Sequence, residues 1–166
     1  AHVQPVDQTL TLKNTLIPLS NASIRFDSRL GLAGTGQTAR LEISTNEGVN
    51  WTTLYQQTGT QSGLISSFGE KTFTTRTASL TAFAGKRVQL RFRYAIENGS
   101  YYPQTNAGAG WYIDNIQITG TETPTAITTP TATTGNAFSF TAPASGSTLL
   151  QVRSGMYGYF GDWGNS

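Results

Sequence analysis

The run Arg87-Val88-Gln89-Leu90-Arg91-Phe92-Arg93-Tyr94 alternates polar and apolar residues without a break. Side chains along a β-strand point to opposite faces with a period of two, so this run reads as a strand with one wet face and one buried face. Shorter copies of the pattern occur at Thr9-Leu10-Thr11-Leu12, Ser23-Ile24-Arg25-Phe26-Asp27 and Arg40-Leu41-Glu42-Ile43-Ser44. Trp111-Tyr112-Ile113 and Ile116-Gln117-Ile118 form another, with Asp114-Asn115 interrupting the alternation as a β-bulge does. No segment carries a helical stripe. Turn chemistry separates the runs. Thr45-Asn46-Glu47-Gly48 reads as a hairpin loop with Gly48 at positive φ. Ala84-Gly85-Lys86 and Glu97-Asn98-Gly99-Ser100 read as turns on either side of the longest strand.

Short alternating strands between such turns predict an all-β fold: an antiparallel two-sheet β-sandwich. Its expected interior is Leu10, Leu12, Ile24, Phe26, Leu41, Ile43, Val88, Leu90, Phe92, Ile113, Ile116 and Ile118. Composition agrees. Thr and Ser supply 27 and 14 of the 166 residues, and only 12% are charged. A coiled coil or helical bundle needs Ala, Glu, Lys and Leu in bulk. The aromatic content, 11%, is far above that of a charge-driven disordered chain.

Three expectations about organisation follow. Residues 1–120 form the sandwich module. Residues 121–136 hold eight Thr and two Pro in sixteen positions and read as an extended linker. Residues 137–166 form a further β segment, with strands expected at Ala137-Phe138-Ser139-Phe140 and Thr148-Leu149-Leu150-Gln151-Val152-Arg153. The chain starts with Ala and has no signal-like apolar stretch, which reads as a mature piece or an excerpt of something longer.

Charge and cysteine usage exclude several partners and chemistries. The net charge is +2, with no Lys/Arg tract to neutralise a phosphate backbone, so nucleic acid is not an expected partner. No apolar run approaches the length of a membrane span. There is no cysteine, hence no disulfide, thiolate metal site or Cys nucleophile. The one histidine, His2, lies at the N-terminus, outside any scaffold that a Ser-His-Asp device requires. No phosphate loop, HExxH or GxSxG occurs. The chain is expected not to be an enzyme.

Binding residues are better represented. Arg25, Arg40, Arg91 and Arg93 alternate with core residues and point off an outer sheet face. On neighbouring strands they would make an arginine plate suited to the carboxylate or sulfate groups of an acidic polysaccharide. The competing expectation is a solvated face with Asp27 and Glu42 as cross-strand partners. The loop NGSYYPQTNAGAGW, residues 98–111, offers Tyr101, Tyr102 and Trp111 for stacking on sugar rings, with Gln104 and Asn106 for hydroxyls. The alternative there is that a Tyr and Trp111 plug the end of the sandwich. Asp114 at the bulge is a candidate Ca²⁺ ligand, with Asp7 and Glu97 as co-ligands. Its alternative is capping of nearby backbone amides. Three glycosylation sequons begin at Asn21, Asn50 and Asn98.

The order and spacing of LEISTNEGVNWTTL, SLTAFAGKRVQLRFRY and GWYIDNIQITG resemble MAM-like jelly-roll modules of the kind found beside immune-inhibitor-A-type secreted metalloproteases and in large bacterial surface proteins. The resemblance covers residues 7–120. Asn46-Glu47-Gly48 stands where that family has an Asp-Gly-Gly turn, and Asp114-Asn115 where it has an Asp-Asp pair, which weakens a two-carboxylate Ca²⁺ site. Residues 138–166 resemble the second half of a fibronectin-III-like domain. These resemblances imply a secreted or surface-attached multidomain protein in which the module is non-catalytic. The expected function is glycan binding, to polysaccharide or cell-surface glycan. The alternatives are a structural or adhesive spacer beside neighbouring domains of the same longer chain, and a protein-interaction module beside a secreted protease.

Overall fold

The computed structural model describes residues 7–60, 69–97 and 108–124, together with the backbone of residues 151–152, 155–156, 159–160 and 164–165. Seven strands build a two-sheet antiparallel β-sandwich. They are β1 (Gln8–Thr11), β2 (Ile17–Leu30), β3 (Gln37–Ser44), β4 (Thr52–Thr58), β5 (Thr74–Ser79), β6 (Gln89–Ile96) and β7 (Trp111–Glu122). One sheet has the order β1-β6-β3-β4 and the other β5-β2-β7. A 3₁₀ turn, Thr81–Phe83, leads from β5 towards β6.

The period-two pattern sets the core. Ile24, Phe26, Leu41, Ile43, Leu80, Val88, Leu90 and Phe92 are buried between the sheets. Leu12, Ile113 and Ile118 pack partly buried against them. A chain of tilted and edge-on rings joins the two sheets. Phe26 meets Tyr55 at 5.5 Å and Phe92 at 5.1 Å between centroids, and Phe92 meets Trp111 at 5.8 Å.

Two expected core residues are not in the core. Leu10 is 55% exposed and Ile116 39%. Leu10 keeps the alternation, lying opposite Phe92. Its strand, however, is the edge of a four-stranded sheet that is one strand wider than the sheet covering it. Ile116 follows the bulge on β7, an edge strand of the narrower sheet. The bulge is as expected: the β2–β7 register shifts between Arg25 and Asp27, and Asn115 takes φ 49°.

β4 (TTLYQQT) is the partner strand that the hairpin loop at Thr45–Gly48 implied without bounds, and β5 (TTRTAS) was not foreseen. Both are edge strands of Thr-rich sequence, without an apolar alternation to betray them. β4 and β5 flank the same side of the sandwich. Arg76 of β5 closes it by reaching Glu70 at 2.7 Å and lying over the Tyr55 ring of β4.

β7 runs past the expected boundary at residue 120. Thr121 pairs with Pro18 and Glu122 with Ile17, so the sandwich extends to 122. Nearer the C-terminus, β8 (Gln151–Val152) pairs antiparallel with β11 (Gly164–Asn165), and β9 (Gly155–Met156) with β10 (Tyr159–Phe160), one ladder nested within the other. The expected strand at 137–140 and most of the expected linker lie outside the described residues.

Candidate functional site

The sandwich has two outer faces, and their chemistry differs. On the four-stranded sheet, Arg93 of β6 stands opposite Arg40 of β3, and Arg91 stands opposite Glu42. These three arginines are thus neighbours, as the plate required. Arg25 is not among them, because β2 belongs to the other sheet.

The neighbouring arginines are already engaged. Arg91 Nε donates to Glu42 Oε2 at 2.6 Å, and Arg91 also lies over the Trp51 ring at 4.0 Å. Arg93 pairs with Asp7 at 2.5 Å and approaches Glu42 at 3.6 Å. Arg40 pairs with Glu97 at 2.5 Å and donates to Gln56. The Glu42 side chain is only 6% exposed. This face is an intramolecular ion-pair ladder rather than a row of guanidinium groups open to a ligand. A polyanion would have to displace the chain's own carboxylates to use it.

The expected calcium ligands are dispersed. Asp7 accepts from Arg93 and from the Ile96 amide, and Glu97 is held by Arg40, both on the four-stranded sheet. Burial alone would raise the Asp7 carboxyl, but the Ile96 N–H and the Arg93 guanidinium outweigh it and hold the pKa below its usual value. Asp114 lies on the other sheet, where its Oδ1 accepts the Asn115 N–H at 2.7 Å. That is the amide-capping geometry. Asp7 and Glu97 thus lie on one sheet and Asp114 on the other, and among the described residues no three acidic or histidine side chains gather.

Trp111, expected to stack on sugar, faces inward. Its indole N–H donates to Ser28 Oγ at 2.9 Å and its ring packs on Phe92. The glycine run before it serves backbone packing. Leu32 N donates to Gly108 O at 2.8 Å and Gly31 N to Gly110 O at 2.9 Å. Tyr101, Tyr102, Gln104 and Asn106 lie outside the described residues.

The open face is that of the three-stranded sheet. Its register sets out successive rows across β5, β2 and β7: Ser79, Ser23 and Thr119; then Thr77, Arg25 and Gln117; then Thr75, Asp27 and Asp114. Beyond them Arg29 stands opposite Tyr112. Its guanidinium carbon lies 4.0 Å from the Tyr112 ring centroid and 5.8 Å from that of Phe73, which is 47% exposed. At strand spacing the grid spans roughly 20 Å by 10 Å. Within it Thr75 Oγ1 donates to Asp27 Oδ1 at 2.6 Å, and Asn115 Nδ2 donates to Asp27 Oδ2 at 2.9 Å. Those two hydrogen bonds hold the Asp27 carboxyl below its ordinary pKa. Arg25 donates to Thr75 Oγ1 at 3.3 Å. The result is a surface rich in hydroxyl and amide groups, balanced in charge, with exposed aromatic area at one end.

Phe73, Arg29 and Tyr112 were missed as site residues. A signal existed for two of them. The alternation through Asp27 continues one step to Arg29, and Tyr112 alternates outward between Trp111 and Ile113. Phe73, between two threonines, gave none.

No protein-family model matches the chain, and no curated protein matches it in sequence.

Proposed function

We propose that the chain is a non-catalytic accessory module of a larger secreted or surface protein, and that it binds glycan on the outer face of β5, β2 and β7. The observation that carries this reading is the grid itself: hydroxyl and amide side chains in register, ending at Phe73, Arg29 and Tyr112. Sugars present hydroxyl groups around weakly apolar ring faces. Fixed donors and acceptors beside exposed aromatic area complement both. The extracellular setting rests on the resemblance of residues 7–120 to MAM-like modules.

Affinity electrophoresis in gels holding neutral and acidic polysaccharides tests it. Retention is expected on at least one polymer, and the double variant Phe73→Ala, Tyr112→Ala should lose most of it with an unchanged fold. Migration indifferent to every polymer would remove the reading. A spacer without a glycan ligand would then inherit the chain. One observation favours that second reading: the guanidinium groups of the opposite face are all engaged with the chain's own carboxylates.

A further inference from the structure

Arg29 differs from the other described arginines. Arg40, Arg76, Arg87, Arg91 and Arg93 each face a carboxylate within 4.0 Å. Arg25 is tied to Asp27 through the Thr75 hydroxyl. Arg29 makes no hydrogen bond or ion pair among the described residues. It is held only by the rings of Tyr112 and Phe73. Its Nε is enclosed and without a partner, whereas its terminal nitrogens are not so enclosed. A planar guanidinium gripped by aromatic faces loses little freedom when it binds and presents two parallel N–H donors at its edge. The matching partner is a carboxylate, taken in bidentate fashion.

The rest of the face limits what else that partner carries. Asp27 lies two residues from Arg29 on the same strand, roughly 7 Å away by strand rise. Asp114 stands directly opposite Asp27. Both are acidic, and Asp27 is held in its charged form by Thr75 and Asn115. Arg25 offsets one of these charges, so the middle of the grid is net negative while the Arg29 end is net positive. A chain with an anion on every unit would set one on Arg29 and bring the next against Asp27 and Asp114. Like-charge juxtaposition of this kind is how a binding face excludes wrong partners.

Resting on the glycan reading above, we infer that Arg29, with Tyr112 and Phe73, is a carboxylate subsite, and that the face takes a sparsely acidic glycan: one uronate among neutral sugars. The uronate sits on Arg29, and its neutral neighbours run along Thr75, Thr77 and Gln117.

The test uses the full chain with glucuronoxylan, whose neutral backbone carries isolated uronates. The comparison probes are the same polymer after chemical reduction of its carboxyl groups, and polygalacturonate, which carries a carboxylate on every sugar. The native polymer should bind at least tenfold more tightly than either. Arg29→Gln should bring it down to the level of the reduced polymer, and Arg29→Lys, which keeps the charge but not the fork, should keep part of the preference. Asp27→Asn should strengthen binding of polygalacturonate. Thermal melting of each variant verifies the fold, and the native-versus-reduced comparison on the unaltered protein stands even where a variant fails to fold. Equal binding of native and reduced polymer would overturn the carboxylate subsite and leave the glycan platform standing. Tightest binding to polygalacturonate would overturn the exclusion by Asp27 and Asp114. Binding to none of the probes would overturn the subsite, and the platform would fall with it only where the wider set of neutral and acidic polysaccharide gels also shows no retention.

Discussion

At Trp111 the indole N–H donates to the hydroxyl of Ser28, which is fully buried. Its neighbour Tyr112 points the opposite way, towards Arg29. Adjacent aromatic residues on one strand thus serve the two sides of the sheet, as the alternation of side chains requires. Replacing Trp111 with Phe would keep an aromatic ring against Phe92 but leave the Ser28 hydroxyl without that donor. Ser28 keeps its hydrogen bond to Tyr55, so the loss is that of one hydrogen bond, roughly 0.5–1.5 kcal/mol. Trp111→Phe should therefore lower stability by about that amount in urea unfolding, while glycan retention in affinity gels stays near that of the unaltered protein. A variant as stable as the parent would mean that the indole bond contributes nothing. Retention lost at unchanged stability would return Trp111 to the binding site.

Glycine does its structural work where three loops meet at one end of the sandwich. A Cβ on Gly31 would lie 2.0 Å from the Gly108 carbonyl oxygen, and the backbones there are hydrogen-bonded to each other. Overpacking of this kind typically costs roughly 1–3 kcal/mol. Gly31→Ala should therefore lower the melting temperature, measured by circular dichroism. Gly85→Ala is not a spatial control, although nothing lies within 4 Å of its Cβ position, because its φ of 74° strains any side chain. An unaffected Gly31→Ala protein would show that the loops yield freely. These elements also mark where sequence reading succeeds and where it stops. β2, β3, β6 and β7 carry an apolar face and were readable from it, down to the bulge at Asp114-Asn115. β4 and β5 bury little, so Thr52–Thr58 and Thr74–Ser79 have no alternation to read. The arginine plate was legible only in part, for a related reason. Alternation tells which way a side chain points from its own sheet, but not which sheet it belongs to, and Arg25 fell on the other one. Nor does it show that Asp7 and Glu97, distant in sequence, end beside Arg93 and Arg40.

The sandwich is held from outside by acidic groups on both sheets. Asp7 ties β1 to β6 through Arg93 and the Ile96 amide. Asp27 ties β2 to Thr75 of β5 and to Asn115 of β7. Both carboxyls have their pKa lowered in the fold, Asp7 by bonds that outweigh its burial and Asp27 by its two hydrogen bonds. The sign follows from linkage. A group with a depressed folded pKa binds protons more readily in the unfolded chain, so its stabilisation is present above the unfolded pKa and is lost as pH falls through the folded one. For an aspartate, whose unfolded pKa is about 3.9, that window opens near there and extends downward. The melting temperature should therefore hold between about pH 5 and 7 and drop as pH falls below about 4. Asp7→Asn and Asp27→Asn sit on separate sheets and share no partner, so their effects should add. The double variant should melt lower than the parent at neutral pH and show a flatter acid limb, with the two curves converging at the acid end. Parallel curves at every pH would place the acid sensitivity in other carboxylates. A single variant that accounts for the whole difference would show that one sheet alone carries it.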